Sequence, residues 1–138
     1  MMKKIVSSVS VFALLLMCLL SVGCQPEPAA IGIWADATYT EDTALGEGAT
    51  TLTVVVSAED KEVTLTVNTD KTTVGAALSE VGLIAGADGM YTVVNGMTAD
   101  YNIDQTYWAF YENDAYAMAG MDDTAITAGV VYKLVRSK

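Results

Sequence analysis

Histidine is absent from all 138 residues of the chain. Its absence removes the usual general base near neutral pH, the commonest metal ligand, and every Ser-His or Cys-His arrangement. Cysteine is nearly as scarce: the two present, Cys18 and Cys24, do not form a redox Cys-x-x-Cys pair. No glycine-rich loop of the kind that cradles phosphate occurs either. A hydrolase working with carboxylates alone would still be possible, but such pairs are defined by a separation in space that one sequence does not give. The inventory points away from an enzyme, with no catalytic and no metal-ligating residue to nominate.

Positive charge is the next shortage. Seven Lys and Arg face 17 Asp and Glu. With no basic stripe to release counterions, nucleic acid is excluded as a partner. An acidic surface suits a protein held in a crowded envelope; it could also gather divalent cations, but a plain solvated surface is the better reading.

Two of the lysines, Lys3 and Lys4, precede an uncharged run from Ile5 to Gly23. That is the n-region and h-region of a secretion signal. The run meets Ser21-Val22-Gly23-Cys24, where a small residue directly before a cysteine suits cleavage by the lipoprotein peptidase and lipidation of the Cys24 thiol. Ser21 stands where such boxes usually carry Leu, and Cys18 is a poorer candidate because Met17 precedes it. An uncleaved membrane anchor is the alternative, since about 19 apolar residues approach the length that spans a bilayer.

Cleavage of residues 1–23 from a chain of 138 leaves 115, enough for one domain. This remainder keeps Lys61, Lys71, Lys133, Arg136 and Lys138 against all 17 acidic side chains, 5 − 17 = −12. Its one cysteine would carry lipid, so no internal disulfide can form and stability must come from an apolar core. The expected localisation is extracytoplasmic, with the membrane as a partner through the lipid anchor.

Gln25 to Ala30, with Pro26 and Pro28, reads as a short tether. Ile31, Ile33, Trp34 and Tyr39 are too apolar for a solvated linker and predict an arm that packs on the domain. Leu45-Gly-Glu-Gly48 reads as a turn. Thr51–Ser57 and Glu62–Asn68 are β-branched runs joined by a polar Ala58–Lys61, which predicts a hairpin. Val74, Ala77, Leu78 and Val81 then stand at helical spacing, with Thr72 or Thr73 to cap them and Gly82 to stop them. Strands return at Tyr91–Val94 before Asn95-Gly96, at Thr106–Tyr111, at Ala115–Met118 and at Val130–Val135, and Asn113-Asp114 supplies a hairpin turn. The ββαββ order predicts an α+β, β-grasp-like fold: a mixed sheet of two β-hairpins with one short helix packed on one face.

Leu45–Val56, Val74–Leu78, Val94-Asn-Gly96 and Tyr107-Trp-Ala-Phe-Tyr111 occur in that order, followed by Gly120-Met-Asp122 and Ile126–Gly129. Together they resemble the transcobalamin-like C-terminal domain, found as a domain of unknown function in bacterial surface lipoproteins. The sequence departs from that pattern at Glu112-Asn113-Asp114, where the family has Asn-Gly, and at Ala128-Gly129-Val130, where it has Asp-Gly-Asp. The implied organisation is a signal peptide at 1–23, lipidated Cys24 with tether and arm at 24–44, and a transcobalamin-like β-grasp-type domain at 45–138. The resemblance implies a ligand-binding module similar to the smaller domain that closes over cobalamin in animal carriers, and therefore half of a site, so that a lone copy binds a small-molecule ligand weakly or presents its face to a partner envelope or transport protein. It also implies that the aromatic strand and the Gly120-Met121 loop form the contact surface.

The residues themselves point to the same region. Met90, Met97, Met118 and Met121 fall in one segment with Tyr91, Tyr101, Tyr107, Trp108, Tyr111 and Tyr116, a combination suited to a large planar or sugar-like ligand. Alternation along a strand predicts that Trp108 and Phe110 lie buried under the helix, leaving Tyr107, Tyr111 and Tyr116 exposed. The nominated ligand-binding set is Tyr107, Trp108, Tyr111, Tyr116, Met118, Gly120 and Met121, with Cys24 for lipidation. No cofactor is expected, cobalamin being a candidate ligand.

Asp100-Tyr-Asn102-Ile-Asp104 copies the start of a calcium loop, but Gln105 and Tyr111 replace the Gly and Glu that such a loop needs at its sixth and twelfth positions. An acidic turn is the better reading there, and Asp122-Asp123 reads as a loop. Three functions of different class remain, in this order: a small-molecule binding module, an envelope protein or glycan interaction module, and a hydrolase.

Overall fold

The computed structural model describes residues 32–138. The expected signal peptide, lipidation site and tether fall on residues 1–31 and lie outside the described residues. Among the described residues no helix is long and apolar enough to cross a membrane.

A short strand, Thr43–Leu45 (β1), precedes the two β-branched runs, which form Thr50–Ala58 (β2) and Lys61–Thr69 (β3). Their alternation places Leu52, Val54, Val56, Val63, Leu65 and Val67 on one buried face, while Thr53, Val55, Thr64 and Thr66 are half-exposed on the other. A sheet covered on one face alone accounts for that pattern, and each Val or Leu so buried contributes about 1.5–3 kcal/mol. Glu59 turns the hairpin at a φ of 53°.

Thr73 caps the helix that follows, its Oγ1 accepting from the Ala76 amide at 3.3 Å. This helix, Val74–Glu80 (α1), buries Val74, Ala77 and Leu78, and Gly82 takes a φ of +69° just past its end. These are the predicted apolar positions, cap and stop.

The next segment departs from expectation. Ile84–Ala87 (β4), Met90–Val94 (β5) and Met97–Thr98 (β6) form a separate three-stranded antiparallel sheet, so β5 does not join the mixed sheet as the β-grasp-like layout required. Two tight turns explain the difference. Asp88-Gly89 and Asn95-Gly96 all take positive φ, folding β4 onto one edge of β5 and β6 onto the other. A strand whose edges are taken up by its own neighbours has little edge left to offer another sheet.

A short helix, Tyr101–Asp104 (α2), then leads into Tyr107–Glu112 (β7), Ala115–Tyr116 (β8), a 3-10 turn at Met121–Asp123, and Val131–Ser137 (β9). The main sheet has six strands in the order β1-β3-β2-β9-β7-β8. At its centre β2 and β9 run parallel, with Val54 opposite Tyr132 and Val56 opposite Leu134. The fold is mixed α+β with two sheets.

The arm does pack. Trp34 is 4% exposed; its Nε1–H donates to the Ala58 carbonyl at 2.9 Å, and the Lys61 ammonium sits 5.0 Å above its ring. Buried Asn95 holds the next part of the arm: its side-chain amide donates to the Tyr39 carbonyl and accepts from the Tyr39 N–H, both at 2.8 Å. A buried amide satisfied on both sides fixes the path of the arm across the small sheet.

Candidate functional site

The small sheet creates the site by leaning on the main one. Strand β5 packs against β7, and the Trp108 Nε1–H donates to the Thr92 carbonyl at 3.2 Å. Between them lies a cleft of about 300 Å³. Gly89, Met90, Tyr91 and Thr92 form one wall, and Thr106, Tyr107, Trp108 and Phe110 the other; Gly120 and Met121 contribute from the 3-10 turn, and Ala99 and Tyr101 from the approach to β7. The lining carries no charged side chain.

Helix α1 does not cover this region. It packs on β3, β4 and the 3-10 turn, and Trp108 and Phe110 meet β5 and open space in place of the expected helix. Phe110 is 8% exposed and stacks on Tyr132 with centroids 6.0 Å apart, while Trp108 is only half-buried. The alternation holds for Trp108 and Phe110, both on the core side of β7, and for exposed Tyr107 and Tyr116, but Tyr111, expected to be exposed, is half-buried against Tyr116. The expected cover does not hold, because the small sheet had not been foreseen.

Of the residues nominated from sequence, Tyr107, Trp108, Gly120 and Met121 come together at the cleft. Tyr111, Tyr116 and Met118 are not part of its lining. Tyr111 and Tyr116 pair edge to face, with centroids 5.5 Å apart, across the β7–β8 hairpin. Met118 is 98% exposed beyond it. Gly120 takes an ordinary backbone conformation with open space where a side chain would be, so the position does not require glycine. Sequence reasoning left out the opposite wall. Met90, Tyr91 and Tyr101 stand out in the sequence as aromatic and thioether neighbours, but the Asp88-Gly89 turn signals only that β4 folds onto β5, and the approach of β5 to β7 has no local signal.

One polar contact ties the walls to the turn. The Tyr91 hydroxyl donates a hydrogen bond to Asp122 Oδ1. Acceptance by this carboxylate, followed by burial, raises the phenol above its ordinary value of 10.0, while the Ser79 hydroxyl acts in the other direction. The Asp100–Asp104 turn is likewise occupied. Asp100 caps α2 through the Asn102 N–H at 2.9 Å. Asp104 accepts from Thr106 and pairs with Arg136 at 2.9 Å, contacts that lower its pKa, the Thr106 hydroxyl being the largest cause. Among the described residues no three His, Cys, Asp or Glu side chains are grouped to hold a metal ion.

No family model matches the chain, and no curated protein does. Solved structures do match. The crystal structure of a "putative metal binding protein" from Ruminococcus gnavus superposes with a TM-score of 0.61 at 24% identity, over 65% of this chain and 98% of that one. Haptocorrin in complex with Cbi superposes with a TM-score of 0.51 at 16% identity, over 64% of this chain and 25% of haptocorrin. At these identities the likeness is one of fold: the chain is similar to the whole of the first protein and to about a quarter of the second.

Proposed function

We propose that this chain is a lipid-anchored, extracytoplasmic binding module of the transcobalamin-like, β-grasp type, and that its cleft is half of a site for cobalamin or another large planar ligand. The observation that carries the reading is the cleft itself: two aromatic walls and two methionines, uncharged, in a fold shared with a segment of haptocorrin, which was solved with Cbi. A volume of about 300 Å³ is at the small end for a complete ligand pocket, consistent with a surface that covers one side of a ligand while a partner covers the other. The β-grasp part is supported by the two hairpins, β2–β3 and β7–β8, flanking β9 with α1 in the crossover between them. The module acts by binding, without catalysis and without a resident metal.

Calorimetry of cobalamin and of Cbi against the protein tests the reading. Saturable binding at micromolar to high micromolar concentration is expected, and no heat or saturation in that range would end the corrinoid proposal. The chain has no histidine, so it has no imidazole to displace the nucleotide base from cobalt, and the visible spectrum of bound cobalamin should be nearly unchanged. For the anchor, radiolabelled palmitate should enter the wild type and not Cys24→Ser.

A further inference from the structure

The uncharged lining of the cleft ends against a carboxylate. Asp122 stands in the 3-10 turn, and two contacts bring it to the cleft wall. Its Oδ1 accepts from the hydroxyl of Tyr91, a lining residue. Its Oδ2 lies beside Gly89, also in the lining, where a Cβ would stand 3.5 Å from it. The missing side chain at Gly89 therefore leaves that oxygen uncovered. Asp122 is exposed, and among the described residues no hydrogen bond or ion pair reaches Oδ2.

Several side-chain protons of the lining are already committed. The Tyr91 hydroxyl gives its proton to Asp122, the Thr106 hydroxyl to Asp104, and the Trp108 Nε1–H to the Thr92 carbonyl. Asp104 is held by Arg136 at 2.9 Å, whereas Asp122 keeps an unshared oxygen. A hydroxyl whose proton is committed can still accept. At the Gly89–Met121 end a ligand thus meets a phenol oxygen that accepts and a carboxylate oxygen beside it, with no cation in the lining to offset the charge. An N–H donor placed there gains a charge-assisted hydrogen bond. A carboxylate placed there meets a like charge and gains none, which discriminates by repulsion as well as by attraction.

We propose that Asp122, with Tyr91, sets the polarity of the ligand: the group that occupies this end of the cleft carries an N–H donor, as a primary amide or an ammonium does, and a planar ligand with a carboxylate at that edge is rejected. The inference rests on the cleft being a ligand surface and adds the chemistry of the edge that it reads.

The test titrates the full-length protein, in micelles of an uncharged detergent near neutral pH, with tryptamine, indole-3-acetamide and indole-3-acetate. These planar probes end in an ammonium, an amide and a carboxylate, and amide chemical shifts at Gly89–Thr92 and Gly120–Asp122 report their binding. In the wild type the amide and the ammonium should bind about tenfold or more tighter than the carboxylate. Asp122→Asn keeps an acceptor for the Tyr91 hydroxyl but removes the charge, and should bring the amide and the carboxylate to within about threefold of each other. Asp60→Asn, in the β2–β3 turn, changes the net charge equally at a residue outside the lining. It should keep the wild-type ranking, which separates the local carboxylate from the general field of an acidic chain. Equal affinity for the amide and the carboxylate in the wild type, an unchanged ratio in Asp122→Asn, or the same collapse in Asp60→Asn would overturn the proposal and leave the cleft standing as a binding surface. No shift with any of the three probes would remove the cleft reading itself, and this inference with it.

Discussion

At the scale of single residues, the cleft divides the aromatic strand into side chains that face it and side chains that do not. Trp108 lines it and Tyr111 does not. Trp108→Ala should therefore weaken cobalamin binding by about tenfold or more, the effect of losing an aromatic anchor, while Tyr111→Ala changes it by less than about twofold. Isothermal titration of the two variants checks this, and the opposite ranking would move the site to the β7–β8 hairpin. Tyr91 gives a second prediction, from its bond to Asp122. Folding favours the protonated phenol, because the carboxylate accepts its proton and burial disfavours the phenolate. The stabilisation is complete below the ordinary value of 10.0 and is lost as pH rises through the higher value of the folded state. In an ultraviolet titration of tyrosinate, Tyr91→Phe should remove a step lying above pH 10.0. An unchanged titration curve would mean that the Asp122 bond is not kept in solution.

Among the elements, Gly75 shows how closely the cleft floor is fitted to the helix. A Cβ on Gly75 would stand 2.9 Å from the Asp122 backbone nitrogen, in the turn whose first residue, Met121, lines the cleft. Gly75→Ala should push that turn off α1 and lower stability by about 1–3 kcal/mol, as overpacking does. Helix propensity alone would instead predict a gain of about 1 kcal/mol from the same change. Urea unfolding decides between them, and a stabilised variant would show that the contact is loose. The elements also show how far the sequence could be read. The hairpin, the capped helix and strands β7 and β9 were legible because β-branched alternation, a Thr cap and a Gly stop are local signals. Strand β4 was missed because Ile84-Ala-Gly-Ala87 has one β-branched residue and three small ones, leaving only the Asp88-Gly89 turn to announce it. That omission hid the small sheet, and with it one wall of the cleft. Half of the candidate site was thus readable as a run of aromatics, and the other half depended on a long-range approach of β5 to β7 that no local pattern encodes.

For the whole molecule the dominant fact is the imbalance of charge. From Cys24 onward the chain carries 17 acidic and five basic side chains, and the described ion pairs, Lys71–Glu80, Lys133–Glu62 and Arg136–Asp104, take up only three of the acids. Such pairs near a surface contribute little, about 0–1 kcal/mol each at most. Unpaired carboxylates repel one another more in the compact state than in the unfolded chain. Added salt therefore has two opposing effects: it weakens the three pairs, and it screens the larger set of like-charge repulsions. The second should win, because the unpaired acids far outnumber the paired ones. Between about 0.01 M and 1 M sodium chloride the screening length falls from about 30 Å to about 3 Å, and the melting temperature should rise over that range and level off at the high end. A melting temperature that falls with salt would show that the ion pairs outweigh the repulsion, and the acidic surface would then have to be read as organised and not simply crowded.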